Sequence, residues 1–359
     1  MKKRKNFLDN IRWISVILVI IYHIFYIFNC SGVVSNIGVQ GIEWFDGYCV
    51  FVYPWIMCLL FVVSGVSARY SRAKRNNKDF LKDRVRRTLI PSLVGIFVYG
   101  WFNGYVTNYY NDIFMGEIVP GPIKYLVFSL IGIGVLWYLH IIFIGSILVV
   151  IIDKLDKKKW AERFFRYYNV LYLLLMIPVI WLSSMLLNMP LITVYRFGIY
   201  LLMFIFGYYV FSRDDIQDSL VKYRVPLCLI ALVMSIIYVY TYYGHNYTDE
   251  EVLQNLFTNA YAWISILAIF GFSKKHLDFS NKYTKYMNKN NFGFYVFHYT
   301  IILLIGFILV TKFKLPFILN YIIIFISTCI LLPLLVELIR KIPVLNKLLL
   351  GEGYNKKPV

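Results

Sequence analysis

Polar sequence is scarce in this chain of 359 residues. The longest polar stretches, around 68–88 and 273–291, have roughly twenty residues each. That is too short for a soluble domain with its own core, and no linker separates one. Acids are few as well: 19 Asp and Glu stand against 37 Lys and Arg, a net charge of +18. Such a balance can signal nucleic acid. Here the basic residues fall in blocks between apolar runs, so no nucleic-acid partner is expected. Cysteine is limited to Cys30, Cys49, Cys58, Cys228 and Cys329. Without a CxxC or a Cys/His cluster, no metal site is expected. Cys30 and Cys49 flank the first outer loop, but Cys is also a small apolar core residue, and no disulfide is expected. A basic start (Lys2, Lys3, Arg4, Lys5) precedes an apolar run, yet no small-residue cleavage site follows. Ile27-Phe28-Asn29 before Cys30 fits a lipoprotein cleavage site poorly, so the segment reads as a retained helix. No internal repeat is visible, and the inverted repeats of many transporters are therefore not evident.

What the chain has is apolar length. It is 60% hydrophobic and 19% aromatic, with a mean hydropathy of +0.64. Soluble proteins are about 45–50% apolar, so the composition predicts an all-α, polytopic integral membrane protein in the cell membrane. Apolar segments recur about ten times, at approximately 11–29, 48–67, 89–106, 131–152, 168–187, 194–211, 225–243, 255–272, 292–311 and 316–338. Nearly all are long enough to cross about 30 Å of hydrocarbon; the sixth is short. Pro178 and Pro333 fall inside spans and predict kinks. The spans form one membrane domain over 1–359.

Ten helices put both termini on one side. That side would hold 33 of the 37 Lys and Arg, leaving only Lys124, Arg196, Lys312 and Lys314 opposite. By the positive-inside rule both termini are cytoplasmic. The outer loops carry Glu43, Asp46, Asp112, Glu117, Asp249, Glu250 and Glu251 instead.

The first apolar helix, about Ile11 to Phe28, holds the sharpest signal. From Trp13 onward its only strongly polar residue is His23. An ionisable residue inside a span is costly and marks function by default; the alternative is a histidine that hydrogen-bonds a neighbouring helix. Arg12 and His23 are eleven residues apart, three turns plus about 20°, so they share one face about 16 Å apart along the axis. Asp9 lies one turn before Arg12 and can orient its guanidinium.

Other candidates follow. Arg84, Arg86 and Arg87 open the third helix, with Pro91 inside it. Arg84 and Arg87, at i and i+3, share a face. Guanidinium binds phosphate bidentately, although such clusters also anchor helices to anionic headgroups. His140 follows Trp137-Tyr138-Leu139, and His298 follows Tyr295-Val296-Phe297. His140 enters from outside and can share an outward-facing site with His23, while His298 is expected nearer the inner mouth. Trp137, Tyr138, His140, Tyr295 and His298, with Arg196, are expected to line the acceptor site or pore; for each histidine packing is an equal reading, and Trp137 and Tyr138 can equally form an interfacial belt. Arg196, at the outer start of the sixth span, can meet an anionic or sugar ligand or snorkel. His245 and His276 are expected in loops, solvated.

Together these residues resemble the membrane acyltransferase family 3. The resemblance rests on Phe7-Leu8-Asp9-Asn10-Ile11-Arg12-Trp13 with His23, Ser64-Gly65, and Arg84-x-x-Arg87-x-x-x-Pro91. It also rests on Leu136-Trp137-Tyr138-Leu139, Phe206-Gly207-Tyr208-Tyr209 and Tyr295-x-x-His298. It covers nearly the whole chain, and it is the order of the motifs that makes it specific. It implies transfer of an acyl group, acetyl or succinyl, from cytosolic acyl-CoA to a carbohydrate or glycolipid hydroxyl outside the membrane. The Arg12–His23 helix would then be catalytic and the basic second loop would handle CoA. Many relatives carry an SGNH hydrolase-like domain after the last helix; this sequence is expected to be the stand-alone unit. The residues fit that chemistry. A CoA head can dock at Arg12, Arg84, Arg86 and Arg87, with the thioester near His23 as general base. No tightly bound cofactor is expected, with acyl-CoA as co-substrate, the bilayer as partner and a homo-oligomer open. The alternative is an exporter or flippase of a polysaccharide precursor, with the histidines as a proton relay.

Overall fold

The computed structural model describes residues 5–112, 120–167, 169–189 and 193–353. Lys2, Lys3, Arg4 and Glu117, used above in the charge argument, lie outside the described residues. Among those described there is no strand, only an isolated antiparallel bridge between Asn188 and Arg196. The principal helices are α1 (Asn6–Tyr26), α2 (Asp46–Arg72), α3 (Asn77–Asn111), α4 (Gly121–Ile131), α5 (Gly134–Leu155), α6 (Val170–Ser184) and α7 (Phe197–Phe211). They continue with α8 (Asp214–Lys222), α9 (Arg224–Tyr242), α10 (Leu256–His276), α11 (Lys282–Phe313), α12 (Phe317–Lys341) and α13 (Pro343–Leu349).

Among the described residues eight helices are long and apolar enough to cross a membrane: α1, α2, α3, α5, α9, α10, α11 and α12. They coincide with eight of the ten expected spans. The expected fifth and sixth correspond to the shorter α6 and α7. Pro178 sits at the start of a second helical segment, Ile177–Ser184, after a break at Met176. Proline cannot supply the N–H that would continue the ladder there. The sequence pattern missed α4. Its apolar run leads straight into that of α5, and the two are parted only at Gly132 and Gly134, the latter with φ +51°.

The centre of the bundle is α2. It packs on α1, α5, α7, α9 and α10, and 78% of its most apolar stretch is buried, against 17% for α9 and 28% for α12. The latter two therefore present their apolar surface outward, where a soluble protein would not keep it. Small residues let α2 and α7 cross closely. A Cβ on Gly65 would lie 2.0 Å from the Phe204 carbonyl oxygen, and one on Gly207 2.1 Å from that of Val62. Two of the motifs quoted above thus meet at one crossing.

Ion pairs join the basic loops at one end of the bundle: Lys5 to Asp214, Arg69 to Glu162, Arg72 to Asp153, Lys274 to Asp218 and Arg340 to Glu352. The segment after α13 reaches the same end, where Gly351 lies against the backbone of Arg86 and Arg87. All five cysteines are unbonded.

Candidate active site

Helix α1 carries Arg12 and His23 on a face that is only half-buried at both positions. Arg12 donates to the Ser67 hydroxyl on α2 and lies 3.4 Å from Asp9 Oδ1. Ser67 in turn donates to the Val63 carbonyl at 2.8 Å. The sequence pattern missed Ser67; its i+3 spacing from Ser64 on the Arg-bearing end of α2 was the available signal.

At the other end of this face His23 meets His298. Nε2 of His298 is 3.1 Å from Nδ1 of His23. Placing His298 nearer the basic mouth was therefore wrong. The reason is where α11 begins: an Asn281–Thr284 capping box starts the helix at Lys282, ten residues before the apolar run. His298 then lies about 24 Å along the axis at about 1.5 Å per residue. The expected grouping of His23 with His140 also gives way. His140 Nδ1 is 2.7 Å from the Tyr195 hydroxyl, and its Nε2 is buried without a partner among the described residues.

The contacts assign the tautomers of the pair. His298 Nδ1 faces the carbonyl oxygens of Tyr295 (2.7 Å) and Phe294 (3.1 Å). Carbonyls only accept, so Nδ1 carries the proton and Nε2 offers a lone pair. His23 Nδ1 lies between that lone pair and the Val19 carbonyl at 2.9 Å, so it carries a proton too. The lone pair of His23 is left on Nε2. His298 is fully buried, whereas His23 is not. One imidazole is locked, and it orients a second whose basic nitrogen remains open.

Aromatic rings enclose the pair. Tyr299 lies 4.8 Å and Tyr22 5.1 Å from the His23 ring, centroid to centroid. The Tyr299 hydroxyl donates to Asn36. Tyr138 shares a hydrogen bond of 2.8 Å with Ser64, and Tyr295 donates to the Val135 carbonyl at 2.7 Å. The Tyr138 and Tyr295 rings are 5.1 Å apart, and Tyr295 lies 5.9 Å from His298. Trp137 packs on Tyr200 at 5.3 Å. Trp137 and Tyr138 are both buried inside the bundle.

At the Arg12 end, Arg84 is within electrostatic reach of Asp83 and of three cations, Arg75, Arg87 and Arg12. Its guanidinium lies over the Phe80 ring at 5.0 Å, and its Nε is buried without a hydrogen-bond partner among the described residues. Arg87 is exposed and shares Asp83 with Arg75. Arg86 is half-buried. The backbone widens into a π turn over Val85–Leu89, two residues before Pro91, whose ring excludes a regular helical carbonyl one turn back. A 330 Å³ cavity beside Arg69, Arg72 and Arg75 opens at the same end.

Arg196 is 8% exposed and donates to the Leu253 carbonyl at 3.0 Å; it does not snorkel. His245 and His276 are exposed, as expected, although His276 ends α10 rather than lying in a loop. No group of His, Cys, Asp and Glu able to hold a metal occurs among the described residues.

A family model described as an acyltransferase domain matches residues 5–337, nearly the whole chain. No curated protein and no solved structure matches it.

Proposed function

The chain belongs to this acyltransferase family, and on that premise we propose that it carries an acyl group, acetyl or succinyl, across the cell membrane. The donor is cytosolic acyl-CoA and the acceptor a hydroxyl of an extracytoplasmic carbohydrate or glycolipid. The observation that carries the reading is the open Nε2 of His23, on the same helix face as Arg12. CoA phosphates dock among Arg12, Arg84, Arg86 and Arg87, because an Arg cluster with few acids supplies charge-assisted bonds. The thin pantetheine arm follows the face past Ser67, Ser64 and Tyr138. The interval of about 16 Å from Arg12 to His23 suits its length.

His23 Nε2 takes the proton of the acceptor hydroxyl as its oxygen attacks the thioester carbonyl. The new C–O bond forms, the C–S bond breaks, and the CoA thiolate recovers the proton. The charge on the His23 imidazolium is held by the Val19 carbonyl and the His298 lone pair, so His298 is a positioning residue. Ten crossings with both termini in the cytoplasm place the Arg cluster inside and His23 in the outer half of the membrane. Reporter fusions at Asn246 and Asn281 should report outside and inside respectively; matching locations would refute that topology.

The test of function is twofold. Purified protein in lipid nanodiscs should release CoA from acetyl-CoA or succinyl-CoA only when a glycan acceptor is present. Mass spectrometry of envelope glycans from cells with and without the protein should find one lost acyl mass. Polymer export without any acyl transfer would instead establish the carrier reading.

A further inference from the structure

One deeply buried arginine has no acid partner among the described residues. Arg196 stands at the start of α7, nine-tenths buried, and among the described residues it forms no ion pair. Three other ions in the bundle have partners. Arg72 has Asp153, Arg340 has Glu352, and Asp46 accepts from the Cys30 N–H and the Ser31 hydroxyl, each at 2.7 Å. A guanidinium has five N–H donors. For Arg196 the described residues supply the Leu253 carbonyl and, beside it, the Tyr200 hydroxyl. Its other close electrostatic neighbours are Tyr53 and Cys58, neither of them anionic at neutral pH. A buried cation without a counter-ion is costly, and the start of α7 adds positive partial charge to the same spot.

Aromatic rings connect this charge to the histidine pair by two routes. On one, Tyr53 lies 5.9 Å from Tyr22, which is 5.1 Å from His23. On the other, Tyr200 stacks on Phe61 at 4.7 Å, and Phe61 lies 4.8 Å from Tyr138, in the wall beside Tyr295 and His298. A cation at one side, a base at the other and aromatic faces along both routes are the groups that would recognise a sugar bearing a negative charge. Few, well-placed polar groups within an apolar lining are what fixes a ligand's orientation.

We propose that Arg196 binds an anionic group of the acceptor, so that the acceptor is an acidic sugar or a phosphate-bearing glycan rather than a neutral one. The inference rests on the acyl-transfer reading for the word acceptor, but charge recognition can be measured without turnover. Phenyl β-D-glucuronide and phenyl β-D-glucoside differ only in a carboxylate, and they serve as probes. Titrated into the full chain in nanodiscs, the glucuronide should bind about tenfold tighter or more than the glucoside, the ratio one charge-assisted bond supplies. Arg196→Gln should abolish that preference. Arg196→Lys keeps the charge but loses the bidentate fork, and it should retain a reduced preference. Binding of CoA checks that each variant is folded; should the glutamine variant fail that check, the lysine variant decides. Equal binding of the two probes by the wild-type chain, including no measurable binding of either, overturns the proposal. A preference unchanged in the variants does so too, and leaves Arg196 as a strut tying α7 to the turn before α10. Transfer from acetyl-CoA is scored separately, so failure of acyl transfer and failure of charge recognition are read apart.

Discussion

Two interhelical polar assemblies in this bundle are built on opposite principles. Asp153, on α5, accepts from Arg72 Nε at 2.8 Å, the Tyr208 hydroxyl at 2.8 Å and the Tyr209 hydroxyl at 2.6 Å. Both of its carboxylate oxygens are bonded, and three helices are tied together by it. The His23–His298 pair has the same kind of interhelical geometry, but it stops one bond short: His23 Nε2 has no hydrogen-bond partner among the described residues. A fully satisfied network holds a fold, and it has nothing left to give a substrate. An incomplete one, kept open on a half-exposed side chain, costs stability and is where chemistry can occur.

The comparison breaks first at His23. His23→Gln keeps a hydrogen-bonding side chain but cannot serve as a base near neutral pH. It should lower acyl transfer by about 10²–10⁴-fold while membrane level and CoA binding stay normal, measured as kcat per folded molecule. Near-normal turnover would make His23 packing glue, like Asp153. The second effect is smaller and lies at the Arg12 end. Arg84→Gln, which removes a guanidinium that lies over a ring and forms no ion pair among the described residues, should raise the KM for acyl-CoA by roughly ten- to a hundredfold with little change in kcat. An unchanged KM, with less protein in the membrane, would mean the cluster only anchors the helix to lipid headgroups. The third is a stability effect. Asp153→Asn should cost about 1–3 kcal/mol through weakened charged hydrogen bonds, seen as a lower Tm in detergent, with turnover per folded molecule unaltered. A kcat loss as large as that of His23→Gln would erase the distinction between the two assemblies.

Much of this was legible in the sequence, for physical reasons. Apolar length and basic blocks are one-dimensional signals, so eight long helices and the grouping of the basic loops could be read directly. Arg12 and His23 share a helix, and their common face follows from helical periodicity. The partner of His23 was not legible. His298 is 275 positions away, and its depth depends on where α11 starts, which the polar capping box at Asn281 decides rather than the apolar run. Helix α4 was hidden because glycine, not a polar residue, ends it. Arg196 was visible as the one arginine among four cations on the acidic side, but its burial is a property of packing. Ser67 and Asp153 were ordinary letters until α1 and α7 came to rest on them.

The central claim is that His23 and His298 act as one unit, a base and the group that orients it. A double-mutant cycle tests it most directly, with kcat measured for wild type, His23→Gln, His298→Phe and the double variant in the same nanodiscs. If the pair is a unit, His298→Phe alone lowers kcat without changing the KM for acyl-CoA, and the double variant is no slower than His23→Gln, because His298 has nothing left to orient. Losses that multiply in the double variant, or a His298→Phe enzyme with normal kcat, would contradict the account.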